Sequence, residues 1–252
     1  MADRLHGDER GVSEVLEYVF IFSLVVASIG VVTVGGMGSL ENAQTAEQIE
    51  NAEKGFGVLH DTMAELYDEG APSRATELSL GETELFYGDN VTVNVTVVDG
   101  ETTTVTEREI RPVVQRLGPD RFLVYEAGAV FRTTADGGLT VLEPPHMYRT
   151  DGVHVTVPAF RSGSVQGVGS SNVLVRAKVT NRSVPVTDAD GSDKVVVNVT
   201  SPRYEQWASY LEDQPSVDCT VDDPNSRVTC TRDSDLERVY VSVTAADLFL
   251  LQ

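Results

Sequence analysis

Between Tyr18 and Leu40 the chain carries no formal charge, and this run constrains the fold more than any other feature. As a helix its 23 residues rise about 34 Å, enough to cross a hydrocarbon core of about 30 Å. A soluble core helix of that length would have to be apolar on every side, so the run predicts a transmembrane helix over 12–40 with its core at 18–40. Arg4 and Arg10 precede it, and Glu41, Glu47 and Glu50 follow it. Basic residues stay on the cytoplasmic side. The expectation is a single-pass protein of the cell membrane, amino terminus in the cytoplasm and everything after about residue 41 outside.

A secretory signal peptide would run from a basic stretch straight into 7 to 15 apolar residues and a small-residue cleavage site. Here Glu14 and Glu17 intervene after Arg10, the run is too long and no A-x-A site follows. Instead Arg10-Gly11-Val12-Ser13-Glu14-Val15-Leu16-Glu17, leading into the apolar helix, resembles the type III signal of archaeal type IV pilins and archaellins. That resemblance implies a prepilin peptidase as partner, cutting between Gly11 and Val12 and removing a cytoplasmic leader, 1–11. Glu14 departs from the Pro or apolar residue common at that place. The resemblance also implies assembly with other pilin-like subunits. Glu14 or Glu17, beside a freshly exposed amino terminus, can pair with the ammonium group of a neighbouring subunit, where an unpaired charge in lipid costs several kcal/mol. The alternative is an uncleaved anchor.

Past the membrane, Ile49, Ala52, Phe56, Leu59, Met63 and Leu66 form an apolar seam at helical spacing, predicting an amphipathic stalk helix over 41–70. The seam packs either on its own head domain or on neighbouring copies. Gly35, Gly36 and Gly38 are expected to loosen the helix at its exit, and Gly70-Ala71-Pro72 to end it.

From about residue 76 the period changes to 2. Val91–Val97, Val153–Val157, Val173–Val179, Val195–Val199 and Val239–Val243 alternate apolar and polar residues, as half-buried strands do. The fold class expected is α+β: a long amino-terminal transmembrane and stalk helix, then a mainly antiparallel β-sandwich-like domain over 76–252 with one short helix. That helix opens at Ser201-Pro202 and places Tyr204, Trp207, Ala208 and Leu211 on one face. A two-residue turn at Pro224-Asn225 would pair Asp223 with Ser226, Val221 with Val228 and Cys219 with Cys230. Facing cysteines on neighbouring strands predict a disulfide and an oxidising compartment. Four sequons, at Asn90, Asn94, Asn181 and Asn198, offer candidate N-glycosylation sites.

Signals for chemistry are sparse. The histidines, His6, His60, His146 and His154, form no metal motif, and no nucleophile elbow, P-loop or dinucleotide fingerprint occurs. No catalytic residue, metal, cofactor or small-molecule substrate is expected, and the chain is read as no enzyme. Asp188-Ala-Asp190-Gly191-Ser192-Asp193 misses the EF-hand spacing and reads as a hairpin turn. With 39 Asp and Glu against 19 Lys and Arg, the net charge of −20 argues against a nucleic-acid partner. Sixteen of the basic residues are arginine. Acid-rich, lysine-poor surfaces suit high salt, where carboxylates stay hydrated and their repulsion is screened. Gly128-Ala-Val-Phe-Arg132, Pro144-Pro145, Met147-Tyr148-Arg149, Val155-Thr-Val-Pro158 and Tyr204 to Leu211 are similar to recurring features of haloarchaeal membrane-anchored surface proteins. The functional expectation is a pilin-like cell-surface protein, a minor pilin or surface-filament subunit. Its alternative is an uncleaved anchor carrying a glycan- or protein-binding β-sandwich.

Overall fold

The computed structural model describes residues 9–81, 83–145, 147–149, 152–162, 167–169, 171–188, 193–233 and 236–252. Helix α1 runs Glu9–Tyr67. The chain divides into two compact units, Met1–Ile49 and Glu50–Gln252, with the boundary inside α1. In the first unit the backbone stays helical through Gly35, Gly36 and Gly38, so the expected loosening is absent. Each helical glycine costs about 1 kcal/mol relative to Ala, which an unbroken ladder of backbone hydrogen bonds outweighs.

The second unit is built mostly from antiparallel strands. In chain order they are β1 (Ser73–Ser79), β2 (Glu84–Tyr87), β3 (Val91–Asp99), β4 (Thr102–Ile110), β5 (Val113–Gly118), β6 (Arg121–Glu126), β7 (Ala129–Thr134) and β8 (Gly137–Leu142). There follow β9 (Tyr148–Arg149), β10 (Gly152–Ser162), β11 (Gly167–Val168), β12 (Asn172–Asp188), β13 (Lys194–Thr200), helix α2 (Tyr204–Glu212), β14 (Asp218–Asp222), β15 (Arg227–Arg232) and β16 (Val239–Leu251). They form three sheets, ordered β1-β12-β16-β10-β9, β11-β2-β5-β6-β7-β8 and β14-β15-β13-β3-β4.

Two apolar cores organise the unit. The first gathers the inward valines of β3 and β13, Val155 and Val157 of β10, Val241 and Val243 of β16, Phe131 of β7, and Trp207 and Leu211 of α2. The second gathers Phe56, Leu59, Met63 and Leu66 of α1 with Leu78, Leu123, Val173, Val175, Leu248 and Leu250. From Ala52 onward the amphipathic seam is therefore buried in the unit's own core, where each large side chain contributes about 1.5–3 kcal/mol. Past the end of α1, Arg182 of β12 donates to the Leu66 carbonyl at 3.2 Å and the Ala71 carbonyl at 2.5 Å. It supplies the cation that the last turn of α1 lacks.

Four details differ from the sequence expectations. β10 pairs with β16 in parallel, His154 opposite Tyr240 and Thr156 opposite Ser242. Val153–Val157 is not half-buried: Thr156 is buried along with its valines, because the sheet lies between both cores. Helix α2 begins at Tyr204; Ser201 Oγ accepts the Arg203 backbone N–H at 3.0 Å, capping a turn that precedes the helix. Between β14 and β15 the connection is a short 3₁₀ turn, Asp223–Asn225, closed by Ser226 at φ 48°. A two-residue hairpin turn wants φ > 0 at its first position, and Pro224 cannot supply it. The register survives: Val221 faces Val228 and Cys219 faces Cys230.

Candidate functional site

Val15–Thr33 forms a 19-residue stretch with a mean hydropathy of 2.4. Among the described residues it is the one helical segment long and apolar enough to cross a membrane. Its large side chains point outward on every face, from Tyr18 and Phe20 to Val31 and Val32. Glu17 is exposed in its first turns. Arg10, Gly11, Val12 and Glu14 lie in the helical backbone of α1, but their side chains fall outside the described residues. The apolar character is thus a local property of the sequence, whereas the buried seam further along α1 depends on the sheets.

Cys219 and Cys230 form a disulfide across β14 and β15, with a Cα separation of 4.1 Å. It ties an edge strand to its neighbour. The four sequon asparagines occupy different settings. Asn90 is exposed just before β3, and Asn181 is exposed where β12 shifts register against β16. Asn94 and Asn198 face each other on β3 and β13. Asn94 donates to Glu107 Oε2 at 3.1 Å and accepts from Thr96 Oγ1, while Asn198 Oδ1 accepts from Thr229 Oγ1 at 2.6 Å.

A cleft of about 410 Å³ opens past the end of α1, bounded by Tyr67, Asp68, His154, Arg182, Ser183 and Tyr240. An adjoining one of about 380 Å³ adds His60, Glu143 and Pro145. The His60 ring reaches Asp61 Oδ1 at 3.0 Å and the Glu143 carbonyl at 3.3 Å, and the His154 ring meets Tyr240 edge-on at 4.7 Å. Burial lifts the Asp68 carboxyl above the usual carboxylate range, with His154 and His60 pulling the other way. Ser, His and Asp share this cleft, but Ser183 Oγ is buried without a hydrogen-bond partner. The contact that activates a serine, a base within about 2.6–3.2 Å, is not made among the described residues. Among the described residues no group of three His, Cys, Asp or Glu could hold a metal ion. His6, His146 and residues 189–192 of the acidic turn lie outside the described residues.

Sequence reasoning missed two buried charges. Glu126, at the end of β6, accepts from Arg203 Nε at 2.8 Å, from Arg203 Nη2, and from Trp207 Nε1 at 2.8 Å. Arg232 is buried on β15, donating to the Gly152 carbonyl at 3.3 Å. No local pattern announces either, since Glu126 and Arg203 stand 77 positions apart. A third feature is a space of about 370 Å³ lined by Asn90, Glu107, Arg108, Glu109, Ile110, Arg111, Arg161 and Ser162.

A model of a family of unknown function, DUF7289, matches residues 10–248. No curated protein and no solved structure matches the chain.

Proposed function

The chain belongs to DUF7289, a family of unknown function, and from its own residues we propose a membrane-anchored, pilin-like cell-surface protein. The observation that carries this reading is Val15–Thr33, apolar on every face beyond Glu17, two residues after Arg10-Gly11-Val12. An exposed apolar helix needs either lipid or a bundle of its own kind as solvent. In the proposed sequence of events, the amino terminus lies in the cytoplasm, a prepilin peptidase cuts between Gly11 and Val12, and the sandwich-like β unit stands outside. Glu17, with Glu14, serves the pairing of mature amino termini in a surface filament. The disulfide fits an oxidising exterior, and the excess of carboxylates fits a salt-rich one.

A second reading, an uncleaved anchor carrying a binding module, draws support from the seam of α1. Phe56, Leu59, Met63 and Leu66 are buried within their own unit and offer nothing to neighbouring copies. Only the segment before residue 49 would then be free for assembly.

The mass of the mature amino terminus separates the two. We expect a chain beginning at Val12; an intact Met1, or loss of the initiator Met alone, would overturn pilin-type processing. Gly11→Leu is expected to hold the precursor in the membrane, and sheared surface filaments containing that variant would defeat the assembly reading.

A further inference from the structure

Despite 39 acidic residues against 19 basic ones, the arginines among the described residues divide between those that meet a carboxylate and those that do not. Arg74, Arg116, Arg132, Arg203 and Arg227 each pair with one. Three others converge where β4 and β10 end. Arg108, Arg111 and Arg161 line the same space of about 370 Å³, yet none forms an ion pair among the described residues, although Glu107 and Glu109 line it too.

The three are not equivalent. Arg111 is fixed in place: Nε donates to the Gly88 carbonyl at 3.2 Å, Nη1 donates to Ser162 Oγ at 3.1 Å, and the guanidinium sits 5.8 Å above the Tyr87 ring. Arg108 donates to the Glu107 carbonyl at 2.6 Å. Arg161 is exposed and makes no hydrogen bond among the described residues. Guanidinium groups gathered around one space repel each other, and a bound anion removes that cost. Their planar fork suits a carboxylate, which it can engage through two parallel bonds.

The remaining walls narrow the choice. Ile110 is the one hydrophobic residue in the lining and is itself buried, so a greasy ligand finds little surface. Asn90, Ser162 and the two glutamates present amide, hydroxyl and carboxylate groups, which match hydroxyls. The same glutamates repel a dianion, so a single negative charge fits better than sulfate or phosphate. A volume of about 370 Å³ falls at the lower end for small-molecule clefts.

We propose that this cleft binds a sugar acid, one carboxylate on a hydroxyl-rich body, with Arg161 and the fixed Arg111 gripping the carboxylate and Glu109, Asn90 and Ser162 meeting hydroxyls. The proposal goes beyond the anchored reading and does not depend on cleavage of the leader.

Isothermal titration of the purified full chain in detergent, with glucuronate as the probe at fixed salt, tests it. Saturable binding is expected, with glucose, acetate and sulfate each at least tenfold weaker. Arg161→Ala should lower the glucuronate affinity at least tenfold, while Arg176→Ala, at an exposed position of β12, leaves it unchanged. Because Arg161 is exposed, its variant should keep the parent's circular dichroism spectrum. Absence of glucuronate binding, an unchanged affinity in Arg161→Ala, or acetate or sulfate binding as tightly would overturn the proposal.

Discussion

Glu126 has no solvent exposure, yet its carboxylate receives Arg203 through two nitrogens and Trp207 through the indole N–H. A buried charge is tolerable only with such partners, and removing one of them leaves the rest uncompensated. We therefore expect Glu126→Ala to destabilise the protein by about 3–5 kcal/mol, read from urea unfolding followed by fluorescence of Trp207, the only tryptophan. An unchanged midpoint would show that the cluster contributes nothing. A tight hairpin follows this carboxylate. Ala127 and Gly128 both take positive φ, 50° and 85°, and a Cβ on Gly128 would come within 2.7 Å of Pro145 Cδ. Gly128→Ala should cost on the order of 1–3 kcal/mol, through both the backbone and the clash. None of this was legible in the sequence, where Glu126 looks like any other acidic residue beside a turn.

At the scale of elements, legibility followed locality. The alternation in Val91–Val97 was enough to place β3, because its pattern of buried and half-buried residues depends on one neighbouring core only. The same alternation misled at β10, where a second core covers the other face. That core rests on α1, nearly a hundred positions earlier, and the parallel partner β16 lies as far downstream. The hairpin of β14 and β15 could be registered from its cysteines alone, although its turn was misassigned. Closing so short a loop, the Cys219–Cys230 bond is expected to contribute about 2–3 kcal/mol. Reduction should lower the unfolding midpoint accordingly and add two hydrogens to the mass; free thiols in native protein would contradict it. Of the candidate sites, the apolar segment was legible because hydropathy is a property of consecutive residues. The arginine cleft was not, because β4 and β10 bring together Arg108 and Arg161 from distant parts of the chain.

For the molecule as a whole, burial of phenols sets a limit at high pH. Burial pushes Tyr125 well above the ordinary tyrosine range, with Tyr67 nearby adding to it. It raises Tyr67 as well, helped by Asp68 and Asp61, and lifts Tyr210 to about 12, helped by Glu143. The folded state thus holds these protons more tightly than the unfolded chain, whose phenols ionise near pH 10. Stability is full below about pH 10 and falls as pH rises toward 12. Unfolding midpoints at pH 8 and pH 11 should differ accordingly, and Tyr125→Phe should flatten the difference; identical midpoints would contradict the burial argument.

As proposed, the chain crosses a membrane once and holds its β unit outside. Both native cysteines are in the disulfide, so a cysteine introduced as Glu101→Cys, exposed in the turn between β3 and β4, would be the sole free thiol. A membrane-impermeant maleimide applied to intact cells then reports its side of the membrane. Labelling of intact cells as complete as that of lysed ones is expected. Labelling that appears only after lysis would contradict it.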